Sequence, residues 1–419
     1  MTVAADASLV ELVAERSRER TKANEALFAA EAERIARLCH RLAERFARGG
    51  RLLALGASSQ GRSDARHVAV EFVHPVIVGK RALPAIALGP EGGLLAEQLS
   101  LVVTADDVVM AFEAETSREI RAALARARGR DALTIAFAPV GAEWELDVDR
   151  ACTRLLQAPS GADPFVRQEL VETAYHLLWE LVHVFLGHPG LLAGRTAATT
   201  SDAGASRFLY PFLAEDEVDL DPVVADVRAS VLAKAREIGS LREETLTGAR
   251  ETLVAASREI RERLDAGGTV YAFGNGGSAT DATDLVADFR AAPQGWTPRR
   301  AVDLTEDAGI LTALANDIGP DVLFARQLIA HGREGDVALA LTTSGGSSNI
   351  VAALGEARRR GMCTVAFVGY DGGRIAAEGL ADYVVVTPSA HIPRIQEAQA
   401  SAYHVLRELV ELANPEGER

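Results

Sequence analysis

"GNGGSATDATDLVADF", residues 274–289, continues the apolar run TVYAFG (269–274), and its reading decides the fold. A β-rich run that ends in Gly-Asn-Gly-Gly-Ser and passes into a helix gathers free backbone N–H groups, a hydroxyl and the positive end of a helix dipole around one point, an arrangement suited to an anion. The glycines equally suit a tight turn that needs φ > 0. A second stretch, "GASSQGRSDARHVAVEF" at 56–72, starts the same way but lacks most of the glycines. It carries His67 and Glu71 four residues apart, where the later copy has Asp284 and Asp288.

The two stretches belong to one unit written twice. "ARGGRLLALG" (47–56) returns as "DAGGTVYAFG" (265–274), so Gly56 and Gly274 lie 218 positions apart. Asp64, His67 and Glu71 map onto Asp281, Asp284 and Asp288 at an offset of 217, and "RQELVETAYHLLWELV" (167–182) resembles "IQEAQASAYHVLRELV" (395–410) at 228. Each half opens with a long amphipathic stretch, 23–48 and 239–266, and then alternates short β-rich runs with helical ones. That alternation predicts an α/β fold: a parallel, doubly wound, flavodoxin-like sheet with helices on both faces of each unit. The expected strands are RLLALG, PVIVG, PAIALG, DVVMAFE and LTIAFA in the first half, and TVYAFG, RRAVDL, DVALALTT, CTVAFVG and DYVVVT in the second. "GRTAATTSDAGASRF" (194–208) has no apolar periodicity and reads as linker. The expected domains are 1–190 and 223–419, joined by 191–222 and packed as a pseudo-dimer.

Composition narrows the function. The 419 residues exceed the usual size of one domain, and 48% hydrophobic with 25% charged residues is an ordinary globular balance. No window is apolar enough for a membrane span, and the first twenty residues lack the basic start and apolar stretch of a signal peptide, so a cytoplasmic location is expected. A net charge of −15 repels nucleic acid. Cys39, Cys152 and Cys363 are scattered, which suggests neither disulfides nor a thiolate metal site. His74, His183, His188, His331 and His391 have no partner spacing and read as structural or exposed.

A second hydroxyl-rich turn strengthens the anion reading. In "ALALTTSGGSSNIVAALGEARRRG", Thr342, Thr343, Ser344 and Ser347 crowd a strand-to-helix turn that has no lysine. Neutral hydroxyls and amides suit a small sugar phosphate, whereas a nucleotide site would add the Walker lysine or a longer glycine signature.

Together, GNGGSxxDxxDxxxD, "LTALANDIG" (311–319), "TTSGGSSNI" (342–350) and "RIQEAQASAYHVLRELVE" (394–411) resemble the phosphoheptose isomerases, sugar-isomerase (SIS) domain enzymes that interconvert sedoheptulose 7-phosphate and a heptose 7-phosphate. The resemblance covers about 223–413, and residues 9–188 resemble the family more weakly. It implies two tandem SIS domains, the first degenerate. It also implies phosphate contacts through Asn275, Gly276, Gly277 and Ser278 and through Thr342, Thr343, Ser344 and Ser347, with Asp317, Gln396 and His404 near the sugar. The metal-dependent members hold a divalent ion, typically Zn2+, through a His and Glu on one helix and a Gln and His on another, which map here onto His67, Glu71, Gln168 and His176.

Each copy has thus lost what the other keeps. Residues four apart share a helix face, and eight apart nearly so, and imidazole with oxygen ligands suits zinc. The implied activity is a metal-assisted aldose–ketose isomerisation of sedoheptulose 7-phosphate at a composite site, with Glu71 and His176 the candidates for moving the proton between C1 and C2 if they are not fully committed to the metal. The ligands could instead pair across halves, as His67 and Glu71 with Gln396 and His404, or as Asp284 and Asp288 with Gln168 and His176. Glu113 and Glu115 stand where the first copy's second phosphate turn would be. The rival from another class is a non-catalytic SIS protein that binds sugar phosphates or assists assembly; a sugar-phosphate sensor would be expected to carry a helix-turn-helix module. A small-molecule substrate and a homodimer are expected, with no nucleic acid and no membrane as partners.

Overall fold

The computed structural model describes residues 2–77, 79–112, 117–137, 152–155, 163–192, 219–293 and 295–413. The stretch 194–208, most of 214–221, Glu113 and Glu115 lie outside the described residues. Two compact units result, Ala23–Glu237 and Met1–Lys22 with Ile238–Arg419.

The amino-terminal unit runs α1 (Thr2–Ala47), β1 (Leu52–Leu55), α2 (Ser59–Val73), β2 (Ala85–Leu88), α3 (Leu95–Val102), β3 (Val108–Ala111), α4 (Arg118–Arg128), β4 (Leu133–Phe137), β5 (Cys152–Leu155) and α5 (Pro164–Leu186). Its strands are all parallel, in the order β2-β1-β3-β4-β5. Strand side chains alternate between faces. Leu52, Ala54, Val108 and Met110 face a core shared with α1, α2 and α5, while Leu53, Leu55, Val109 and Ala111 face α3 and α4. Burial on both faces is why the strands read as unbroken apolar runs. Val224, Val227 and Val231, early in the long helix α6 (Leu220–Asp265), complete this unit's core.

The carboxy-terminal unit repeats the plan with β6 (Val270–Phe273), α7 (Gly277–Arg290), β7 (Ala301–Asp303), α8 (Ala308–Asp317), α9 (Leu323–His331), β8 (Val337–Thr342), α10 (Ser348–Arg359), β9 (Cys363–Gly369), α11 (Gly373–Ala377), β10 (Tyr383–Thr387) and α12 (Ile392–Leu412). The parallel order β10-β9-β8-β6-β7 is that of the first sheet. The first residues of α1 belong here: Val13 lies in the core, and the Arg16 guanidinium donates to Glu408 at 2.8 Å. The repeat extends to close approaches. A Cβ on Gly50 would lie 1.9 Å from the Asp106 carbonyl oxygen, and one on Gly268 would lie 2.5 Å from that of Gly335. Cys39 and Cys363 are buried free thiols.

Two details differ from expectation in the first half. PVIVG is not a strand: α2 runs on to Val73, and Val76 and Ile77 pack against the core from an irregular segment that begins at Pro75, a residue unable to donate to a ladder. The fifth strand is instead Cys152–Leu155, paired with β4, whose CTRL sequence gives little apolar signal.

Candidate functional site

In both sheets the chain reverses direction of growth between the first and third strands, and open α/β sheets usually bind ligands beyond the carboxyl ends of the strands at such a point. In the carboxy-terminal unit the loops there are the β6–α7 loop and the β8–α10 turn. Gly274 begins the first loop because a Cβ there would fall 2.2 Å from the Ser278 carbonyl oxygen. Gly276, the N-cap of α7, has φ of 59° and no side chain to cap the helix. Ser278 is buried in the first turn, with Asn275 and Gly276 exposed and Gly277 buried. In the second turn Thr342 is buried, Thr343 and Ser347 are half-buried and Ser344 is exposed. Ser347 is the N-cap of α10, and its hydroxyl makes no capping bond. Both helices therefore start with amides that no side chain has satisfied, beside five hydroxyl-bearing residues.

The corresponding helices of the amino-terminal unit are closed. Ser58 caps α2 by accepting from the Gly61 amide at 3.1 Å, and Ser117 caps α4 by accepting from the Ile120 amide at 3.3 Å. Each of these helix starts has one amide satisfied by the chain's own hydroxyl.

What this unit assembles instead is a buried cluster of nitrogen and oxygen ligands. His67 and Glu71 sit one turn apart on α2, and His176 projects from α5, which packs against α2. The Nε2 atoms of His67 and His176 lie 3.3 Å apart, and His67 Nε2 is 3.9 Å from Glu71 Oε1. One ligand atom from each of the three falls within 4.8 Å of the others, a spread that a single ion can bridge. Burial, with the His176 imidazole beside it, holds His67 well below the usual histidine range, so it is the neutral base that ligation requires. Gln168 lies two turns before His176 on α5. Its amide nitrogen and oxygen are both buried with no hydrogen-bond partner, a cost relieved if the oxygen meets a cation. The residues present fit a divalent ion.

The matching positions of the carboxy-terminal unit hold a different pair. His404 Nε2 on α12 is 3.4 Å from Asp288 Oδ2 on α7, both fully buried, with Asp284 and Gln396 buried too. Arg407 holds this helix pair together: its Nε donates to the Asp288 carbonyl at 3.1 Å, and its guanidinium lies over the rings of Phe289 and Trp296. Asp317 ends α8, is exposed, and accepts from Asn316 Nδ2 at 2.8 Å. Asn349, which the sequence reading had not singled out, exchanges two hydrogen bonds with Asn275. It lies within TTSGGSSNI, a motif from which only the hydroxyls are assigned by the sequence. No helix among the described residues is long and apolar enough to cross a membrane.

Residues 235–369 match the SIS domain family. A phosphoheptose isomerase of Chlorobium phaeobacteroides is 41% identical over 201 residues, which is 47% of this chain and 85% of that protein. One from Aquifex aeolicus is 42% identical over 162 residues, 38% of this chain and 84% of its own length. These similarities lie in the carboxy-terminal half. The solved structure of tagatose-6-phosphate ketose/aldose isomerase from Escherichia coli matches at a TM-score of 0.56 and 12% identity, over 95% of this chain and 91% of that one, a likeness of fold.

Proposed function

Because this chain belongs to the phosphoheptose isomerase family and is a sugar-phosphate isomerase of SIS-domain fold, we propose that it interconverts sedoheptulose 7-phosphate and a heptose 7-phosphate, with the phosphate held by the carboxy-terminal unit and the ion ligands supplied by the amino-terminal one. The observation that carries this reading is the contrast between helix N-termini: open at α7 and α10, closed by Ser58 and Ser117 at α2 and α4.

In this reading the α7 and α10 amides with the hydroxyls of Ser278, Thr343, Ser344 and Ser347 bind the phosphate ester and so fix the far end of the sugar. A divalent ion such as zinc, held by His67, Glu71, Gln168 and His176, would supply Lewis-acid polarisation of the substrate carbonyl. Where they are not committed to the ion, Glu71 takes a proton from C1 of the ketose and returns it to C2, while His176 carries the hydroxyl proton from O1 to O2, so that no atom is gained or lost. Burial of both groups keeps water from competing for these protons. A cytoplasmic location suits such a substrate.

The Asp288–His404 pair supports a second reading, in which the carboxy-terminal unit moves the proton itself. An isomerase assay on sedoheptulose 7-phosphate, run with metal analysis of the same sample, tests the first. Turnover with about one ion per chain supports it. Turnover that survives metal removal and His67→Ala but not His404→Ala selects the second, and absence of turnover rejects both.

A further inference from the structure

The two hydroxyl-bearing loops of the carboxy-terminal unit are joined by a reciprocal pair of amides. Asn275 Nδ2 donates to Asn349 Oδ1 at 3.0 Å, and Asn349 Nδ2 donates to Asn275 Oδ1 at 2.9 Å, across 74 residues of sequence. Asn275 lies in the β6–α7 loop, and its main-chain carbonyl accepts from the Ser278 amide at 3.1 Å, closing the turn that presents Ser278. Asn349 is buried in the first turn of α10, directly after Ser347 and Ser348. Shifting either asparagine therefore shifts a hydroxyl.

Resting on the reading that these loops hold a phosphate, we infer that Asn349 is a positioning residue: through Asn275 it fixes the separation of the two loops to the width of one phosphate group. The sheet does not need this bond, because β6 and β8 are already joined by their own ladder from Val270 to Phe273. The amide pair acts beyond the strand ends, where the loops have no ladder to hold them. Each phosphate oxygen must meet donors from both sides, and a displacement of roughly 1 Å is enough to weaken such an arrangement severely. Only an amide offers a donor and an acceptor side by side. Aspartate at 349 keeps the shape, yet it leaves Asn275 Oδ1 facing another acceptor and adds negative charge beside an anion site.

The test measures the affinity for inorganic phosphate by calorimetry, alongside KM and kcat on sedoheptulose 7-phosphate, for the full chain and for Asn349→Ala, Asn349→Asp, Asn275→Ala and the double alanine variant. Asn349→Ala is expected to weaken phosphate binding about tenfold. Asn349→Asp should weaken it further, and the double variant should be no weaker than Asn275→Ala alone, because the two amides form one device. KM should rise in step with the loss of phosphate affinity while kcat changes less, a split that a merely structural defect would not give. Unchanged phosphate affinity in a folded Asn349→Ala chain, losses that multiply in the double variant, or a parent chain that binds no phosphate would each overturn the inference. If the alanine variant does not fold, the isosteric aspartate carries the same comparison. Loss of phosphate in the variants of a chain that never turns over the sugar leaves the amide pair standing and rejects the isomerase reading; turnover with unchanged phosphate affinity does the reverse.

Discussion

Asp107, in the turn before β3, shows how single residues hold each sheet. Its buried carboxylate accepts from the Arg51 amide at 2.9 Å, the Arg51 guanidinium at 3.1 and 2.9 Å, and the amide and hydroxyl of Thr104 at 2.8 and 3.1 Å. Asp336 does the same before β8, accepting from the Thr269 and Arg333 amides at 2.8 Å each. Burial works to raise the Asp107 pKa, but the Arg51 and Thr104 hydrogen bonds outweigh it and leave the group below the usual aspartate range. The folded state thus binds its proton less readily than the unfolded chain, whose aspartates titrate near pH 3.9. The stabilisation is complete above that value and is lost as pH falls through the lower folded one. Asp107→Asn should therefore cost about 1–3 kcal/mol near neutrality. Urea unfolding at a series of pH values should show the gap from the parent protein closing below about pH 4; a gap independent of pH would contradict this account.

At the scale of elements, the helix N-terminus separates the two copies. Ser58 satisfies the start of α2 with its own hydroxyl, whereas Gly276 leaves the start of α7 open. Ser58→Ala is expected to destabilise the amino-terminal unit by about 1 kcal/mol, read by thermal unfolding, and to leave phosphate affinity unchanged, since the proposed phosphate site lies in the other unit. A loss of phosphate affinity would place the anion in the wrong unit. Most of this element structure was legible in the sequence, because strands buried on both faces, such as DVALALTT and CTVAFVG, leave a continuous apolar trace. PVIVG misled because composition alone cannot show that α2 runs on to Val73 and that Pro75 starts the irregular segment. Strand β5 was missed because CTRL interleaves polar residues with few apolar ones. The helices α1 and α6 begin about twenty residues earlier than the periodicity at 23–48 and 239–266 suggested, as Val13 and Val224 reach cores that only the tertiary fold defines. In the site, the helix face shared by His67 and Glu71 could be read from their spacing, but that His176 joins them came from the family resemblance, and the structure brings one ligand atom of each within 4.8 Å. The Asn275–Asn349 pair could not be read, since nothing in a linear sequence announces contact across 74 residues.

At the scale of the whole molecule, the account assigns one chemical task to each copy: anion capture to the unit with open helix ends, ion ligation to the unit with the buried imidazoles. Duplication makes such a division accessible, because a loop lost from one copy is still present in the other. The measurement that bears most directly on this division is the zinc content of His67→Ala, taken together with its affinity for sedoheptulose 7-phosphate. The account predicts that the ion and turnover are lost while sugar-phosphate affinity stays within about threefold of the parent, since phosphate binding dominates it. A variant that keeps both its ion and its turnover would contradict it.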